Sequence, residues 1–595
     1  MKPEERGLNV PRFLAVERGR RVLQGLTAPA SSPSESPAGG TDRSPRFIFA
    51  GDASPVLRVP WASPTLHAVI VFALAFLIRL LFLREMAPHP LLDINLVRGT
   101  DMEHYIQWGR RIAEGDWLGR GEGAFYQAPG FPYFLGLMFS VFGPTVLPVM
   151  VAHTVLGSLS AVLVYWIGRG LFTPAVGLVA GLMAGAYSLL VFFGVILHST
   201  TLEVFLTCLA LLTLVQASRR GGGWWLWAGG TMALAALVRP NFLVVPPFVI
   251  AAILLRGRGQ PARSLVKAAG LFLAGFVLVI APVTVRNLVI GKAFVIVSGS
   301  GPETFRIANS YDSPPLNFRY PTLPQMPLTS WAFWRHQIVK GILFWWGFEV
   351  PQNVNYYLFR TMSRVLQWPL VAYWVIVPLA AVGLVAARNR WREMLPVLLF
   401  GLGYYLSVVA FHIVGRFRLP LVPLLLPLAA YALALAWRLA RDRQWVRMVP
   451  GVMGALTLML LTRPWGFPLI YPVDHANYGY ILANRGDLAD AVRELDFAVS
   501  GLPEHPNLNY DMGRMLLLLN RPAEALTRFE REMQISPRNP EVFRRAGLVA
   551  ARRVGDPARA VRYLEQYLVL APDEPRAEEV RGELAAIRAR GGTDR

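Results

Sequence analysis

The sequence predicts an all-α protein, a polytopic α-helical membrane bundle followed by an α-solenoid. Three observations predict it. Hydrophobic residues make up 54% of the 595 positions and charged residues only 16%, against about 25% in a soluble chain. The apolar residues gather in runs of roughly twenty, the helical length that crosses a bilayer core about 30 Å thick. After Pro472 the chain turns polar and takes up a 34-residue period.

Residues 1–60 are expected to form a disordered cytoplasmic tail. They carry mixed charges and a Pro/Ser/Gly-rich stretch from Ala28 to Ser44, and no apolar stretch of a cleavable signal lies near Met1. The membrane domain is expected over 61–465. Eleven spans are read at about 64–83, 146–168, 175–196, 200–217, 224–240, 242–256, 264–284, 368–387, 393–413, 419–438 and 446–463.

The formal charge is +21, nearly all of it arginine, because lysine occurs only at Lys2, Lys267, Lys292 and Lys340. In a soluble protein such an excess suggests nucleic acid. Here the arginines sit between apolar runs, so nucleic acid is not an expected partner and membrane orientation is the better account. Arginine-rich hinges at Arg219–Arg220, Arg256/Arg258/Arg263, Arg388/Arg390/Arg392 and Arg438/Arg441/Arg443 all fall on one face if the N-terminus is cytoplasmic. Parity then puts loops 84–145 and 285–367 outside, together with the C-terminal domain. It requires that Pro129–Gly143, too short for a span, be re-entrant or interfacial. The expected location is the inner (plasma) membrane. The lone Cys208 excludes an intramolecular disulfide and a cysteine-based zinc site.

In 473–590, Gly479, Gly513 and Gly547 recur at spacings of 34, and Ala491, Ala525 and Ala560 at 34 and 35. Proline pairs at 503/506, 537/540 and 572/575 close each unit. Small residues let paired helices approach, and prolines end the second helix of each pair. The pattern resembles three tetratricopeptide repeats, whose stacks form a concave surface for a peptide or protein partner. A stabilising cap on the membrane domain is the plainer reading.

The polar residues gather on the outer side. The first outer loop reads Arg98-Gly99-Thr100-Asp101-Met102-Glu103-His104-Tyr105, with Thr100 and Glu103 in a capping-box pattern. Tyr126 to Tyr133 follows, rich in proline. Then come His198 to Glu203, Arg239-Pro240-Asn241, Pro282 to Gly291 with Arg286, Asn309, and Gly415-Arg416-Phe417-Arg418. Convergence of polar groups at one face of an apolar bundle suggests a site. Arg286, Arg416 and Arg418 lie on the outer side, against the positive-inside bias, which favours function. Orientation or headgroup contact is the competing account. Arg239 could simply end a span, and Glu203 could cap a helix or act as a further acid. His104 and His198 could hold a divalent metal ion with Asp101 or Glu103, although no firm ligand spacing is present. Trp331, Trp334, Phe344, Trp345, Trp346 and Tyr356–Tyr357 suit a lipid interface or sugar stacking.

This order of pieces resembles the GT-C superfamily of polytopic glycosyltransferases, near the protein O-mannosyltransferase-like and aminoarabinose-transferase-like groups, over about 64–463. The resemblance implies a polyprenyl-phosphate-linked sugar donor, membrane lipid around the bundle, and transfer to an extracytoplasmic acceptor. It implies Asp101 as catalytic base. Met102 stands where a strict Asp-Glu pair would have its second acid, and Glu103 is the substitute. Substrate contacts fall to Arg239, Arg286, Asn309, Arg416, Arg418, Glu203 and His104. A base that attacks nothing itself gives a single displacement, so inversion at the sugar carbon is expected. Two other functions compete: a non-catalytic scaffold for envelope assembly, and an O-antigen ligase or polymerase type of enzyme.

Overall fold

The computed structural model describes residues 63–92, 100–121, 123–316, 320–465 and 469–592. The expected tail at 1–60, and Arg98 and Gly99 of the first loop, lie outside them. Among the described residues the secondary structure is helical, with isolated β-bridges only. The chain is a multi-pass membrane protein. Seven helices are long and apolar enough to cross a bilayer: Pro64–Met86, Val146–Leu171, Thr200–Arg220, Ala262–Val289, Arg388–Ala410, Gly415–Arg441 and Trp445–Thr462. Five shorter apolar helices accompany them: Gly130–Phe142, Pro174–Gly185, Trp224–Val238, Pro240–Arg256 and Tyr373–Ala386. Four of these five stand where the remaining expected spans were read. The fifth is the piece expected not to cross; its 13 residues reach only about 20 Å.

The first span shows how the bundle is sorted. Val71, Ala75, Ile78 and Phe82 are buried at helical spacing, while Val69, Leu74, Leu77 and Leu80 on other faces are exposed. One stripe packs on protein and the rest meets lipid. Gly415–Arg441 is the most enclosed span, with 78% of its apolar window buried, and Trp445–Thr462 at 6% lies on the periphery. Helices Trp224–Val238 and Ala262–Val289 touch through glycine. A Cβ on Gly229 would lie 1.9 Å from the Phe272 carbonyl oxygen, and one on Gly275 would lie 2.0 Å from that of Leu226. Small residues at such crossings give the close packing that drives helix association in lipid.

One expected span is corrected. The stretch 175–196 is not a single helix: it stops at Gly185, because the backbone turns aside to bridge Val371. Ser188 N–H donates to the Val371 carbonyl and Val371 N–H donates to that of Ala186, each at 3.0 Å. Every residue from 187 to 201 is buried, so this stretch runs through the protein interior and delivers His198 to the site.

The polar C-terminal part forms helices Pro472–Arg485, Leu488–Gly501, Leu508–Leu518, Pro522–Ile535, Pro540–Val549, Pro557–Leu570 and Ala577–Gly592. The periodic glycines sit where paired helices meet. A Cβ on Gly513 would lie 2.7 Å from the Phe529 ring, and one on Gly547 would lie 2.5 Å from Leu564. The second helices end at Gly501, Ile535 and Leu570, just before the recurring prolines.

Candidate functional site

Thr100 caps the helix Asp101–Ala113, its hydroxyl accepting the Glu103 N–H at 3.3 Å. The cap fixes Asp101 as the first helical residue, and a helix N-terminus favours its negative charge. Asp101 Oδ2 accepts from Arg416 Nη2 at 2.8 Å and from Asn353 Nδ2 at 2.7 Å. Burial pushes the carboxyl up, but the Arg416 charge, the Arg416 and Asn353 hydrogen bonds and the more distant Arg239 outweigh it, so the group is held below the usual carboxylate range. Asp101 retains 28% side-chain exposure, so a ligand can reach it.

Arg416 is the hub. It lies in the turn Gly415–Arg418 with 5% exposure. Its Nη2 also donates to Gln352 Oε1 at 3.0 Å, and its Nη1 sits against His198 Nε2. His198 Nδ1 accepts the Thr200 N–H at 3.2 Å and lies 2.7 Å from Thr200 Oγ1. Burial and Arg416 hold this imidazole well below its usual range. Gly415 makes the turn possible. Its N–H donates to the Val350 carbonyl at 2.8 Å, and a Cβ there would press on Glu349 Oε2 at 3.1 Å.

Arg239 sits at the end of helix Trp224–Val238. Its Nε donates to Glu203 Oε1 at 3.0 Å, an oxygen that also accepts from the Tyr404 hydroxyl at 3.2 Å. The Phe417 ring lies under both cations, 4.2 Å from the Arg239 guanidinium and 5.0 Å from that of Arg416. The Arg239 Nη atoms have no protein partner among the described residues. Gly130 shapes this corner: a Cβ there would lie 2.8 Å from the Leu237 carbonyl oxygen. The close approach brings Phe131 against Tyr105 at 5.4 Å, and Tyr105 lies in the field of Asp101, Arg416 and Arg239. A small pocket opens beside Arg416, lined among others by Phe193, Gln352, Val354 and Tyr356.

Four expected residues therefore converge: Asp101, Arg416, Arg239 and Glu203. The others lie elsewhere. Arg418, 1% exposed, donates to the carbonyls of Phe344, Trp346 and Phe348 and to Glu349 Oε2 at 2.6 Å. Arg286 stacks 3.8 Å from Phe125 and donates to the carbonyls of Leu118, Gly119 and Gly123, pinning the segment after helix Asp101–Ala113 rather than meeting Asp101. Asn309 accepts from Gln337 and Lys340 and donates to the Ala410 carbonyl at 3.0 Å. Glu103 accepts from Gln107 on its own helix, and His104 packs edge-on against Trp108 at 5.8 Å. Among the described residues no three His, Cys, Asp or Glu side chains come together to hold a metal ion. Gln352 and Asn353, which contact the hub and the carboxylate, carry no signal in the sequence.

Residues 126–285 match the family described as dolichyl-phosphate-mannose-protein mannosyltransferase. No curated protein matches the sequence. Among solved structures, the oligosaccharyltransferase of Archaeoglobus fulgidus tethered with an acceptor peptide aligns at 12% identity with a TM-score of 0.41, over 66% of this chain and 54% of its own. This chain thus spans about half the length of that protein. ArnT from Cupriavidus metallidurans in the apo state aligns at 16% identity with a TM-score of 0.41, over 84% of this chain and 79% of its own. The match over 126–285 indicates a glycosyltransferase.

Proposed function

We propose that the protein moves a sugar from a polyprenyl-phosphate-linked donor to a hydroxyl of an extracytoplasmic acceptor, with inversion at the sugar carbon. The observation that carries this reading is the contact of Asp101 with Arg416 in a partly open cluster that also holds Arg239. The description of the matched family names a dolichyl-phosphate-linked sugar, which fits a membrane-embedded site of this charge.

Asp101 takes the proton of the acceptor hydroxyl. The oxygen attacks the anomeric carbon as the bond to the phosphate oxygen breaks, and the polyprenyl phosphate leaves with the electron pair. A positioned base of this kind supplies about 10²–10⁴-fold in rate. Arg239, with its Nη atoms open, and Arg416 stabilise the leaving phosphate. A phosphate that draws Arg416 toward itself also loosens its hold on Asp101, so the carboxylate becomes a stronger base once the donor is bound. Glu203 and Tyr404 hold Arg239 in place, and the buried His198 packs against Arg416. The C-terminal helices, read as tetratricopeptide repeats, bind the acceptor or a protein partner on the same side of the inner membrane. A scaffold needs none of the four converging charges.

The test is a transfer assay with purified protein, polyprenyl-phosphate sugars and an envelope extract as acceptor, set against nucleoside-diphosphate sugars. Transfer from the lipid-linked donor alone, with the opposite anomeric configuration in the product, supports the reading. Transfer from the nucleotide sugar, or retention, contradicts it.

A further inference from the structure

The strip 347–355 ties four parts of the molecule together. Gly347 N–H donates to the Thr462 carbonyl at 2.6 Å, and Glu349 holds both Arg418 and the Tyr187 hydroxyl. Gln352 accepts from Arg416, and Asn353 donates to Asp101. Two residues on, Asn355 Nδ2 donates to Asp474 Oδ2 at 2.6 Å and to the Leu469 carbonyl at 3.0 Å. Asp474 belongs to the first turn of the first repeat helix, Pro472–Arg485, where the same oxygen also accepts the Tyr471 N–H at 2.7 Å. It is therefore fixed to the repeat domain. His89, just beyond the first span, stacks on Tyr478 of the same helix with ring centroids 6.3 Å apart. The first repeat helix is thus held against the membrane domain at two points, one of them two residues from the contact with the candidate base.

The turn between these contacts is short and constrained. Gln352 and Val354 form an antiparallel bridge around Asn353, whose φ of 63° lies in the left-handed region that asparagine tolerates better than most residues. Asn355 Oδ1 meanwhile accepts the Tyr357 N–H at 2.8 Å and caps the next helix. A displacement of Asn355 therefore has little slack to absorb it before it reaches Asn353.

We infer that Asn355 and Asp474 are positioning residues through which the C-terminal repeat domain holds Asn353 against Asp101, so that the repeats form part of the transfer machinery. The inference rests on the proposed function and deepens it. Loss of the Asn355–Asp474 contact withdraws one of the two donors that keep Asp101 ionised, and the base then misaligns. Small misplacements of this kind are costly, about a hundredfold for 1 Å.

Asn355→Asp tests it in the full-length chain, since the variant keeps the oxygen that caps Tyr357 but sets two carboxylates against each other. The expected result is a kcat ten- to a hundredfold lower, a nearly unchanged donor KM, and an acid limb of the pH–rate profile moved to higher pH. The reciprocal pair Asn355→Asp with Asp474→Asn restores a donor facing an acceptor and should recover most of both changes. Asn353→Ala should move the acid limb in the same direction. A wild-type profile for Asn355→Asp, or no recovery in the pair, overturns the inference while leaving the proposed function standing if Asp101→Asn is inactive. Hydrogen exchange needs no activity and judges the coupling even if the proposed reaction is wrong. In Asn355→Asp, faster exchange should spread from 349–355 to the start of helix Asp101–Ala113; confinement of the change to 355–362 and 469–485 overturns it.

Discussion

Arg416 and Asp101 are 315 residues apart in the chain and 2.8 Å apart in space. Between them lies most of the membrane domain. Their contact joins the candidate base to the candidate phosphate ligand in a single ion pair, and the same guanidinium also meets Gln352 and His198.

Arg416→Lys should abolish this arrangement although it conserves charge. An ammonium on a flexible stem cannot meet Asp101, Gln352 and His198 at once in the fixed fork of a guanidinium. Transfer is expected to fall about 10²-fold or more, comparable to losing one preorganised donor. Steady-state kinetics of the purified variant checks this; a loss under about threefold would show that charge alone suffices.

Arg418 should behave differently, because its hydrogen bonds run to backbone carbonyls and Glu349 and its guanidinium lies 4.4 Å over the Tyr373 ring. Arg418→Gln leaves Glu349 buried without its cation, a defect worth about 3–5 kcal/mol. Thermal unfolding in detergent should show a large loss of Tm, partly recovered when Glu349→Gln is added. A stable Arg418→Gln protein with weakened donor binding would return Arg418 to the site.

These two arginines show how much was legible. The polytopic helical bundle, the change of character at Pro472 and the polar clustering on one face could all be read from apolar runs and spacing. The motif Arg416-Phe417-Arg418 looked like a matched pair. In a helical turn, however, residues two apart point about 200° away from each other, so one arginine meets Asp101 and the other meets Glu349. The same geometry separates Asp101 from Glu103. For Arg286 and Asn309, residue type does not reveal whether a buried donor faces a ligand or a neighbouring carbonyl. Gln352 and Asn353 were missed because a lone amide in an aromatic-rich loop has no periodicity or charge to mark it. The break at Gly185 was hidden because an apolar run reads the same whether it spans lipid or threads a protein interior.

Lys340 gives the fold a pH signature of its own. It is 1% exposed, donates to Asn309 Oδ1 and the Phe411 carbonyl at 2.9 Å each, and burial pulls its ammonium down to about 7. His336 and His412 face the same cluster and are also lowered, His412 to about 4, so they stay neutral through the window that matters. An unfolded lysine titrates near 10.4. Between about pH 7 and 10 the unfolded chain therefore binds more protons at this position, and stability rises with pH across that range. Tm measured from pH 7 to 9 should climb by a few degrees in the wild type, and Lys340→Met should flatten the climb. An equal slope in both proteins would assign the effect elsewhere.

Asp101 gives a slope of the same sign in a more acidic window. Its native carboxyl is held below the unfolded value, so its contribution to stability is present above that value, about 3.9, and is lost as pH falls through the native one. Its base form likewise persists into acid. Arg416→Gln removes the main opposing charge, so the acid limb of the pH–rate profile should move upward; an unmoved limb would show that Arg416 does not set it.

The most direct measurement is sugar transfer by Asp101→Asn, a change that preserves shape and lets the side-chain oxygen still accept from Arg416. With helicity and donor binding retained, the rate should fall about 10²–10⁴-fold. A variant that folds, binds donor and transfers sugar within about threefold of wild type would contradict the assignment of Asp101 as the base.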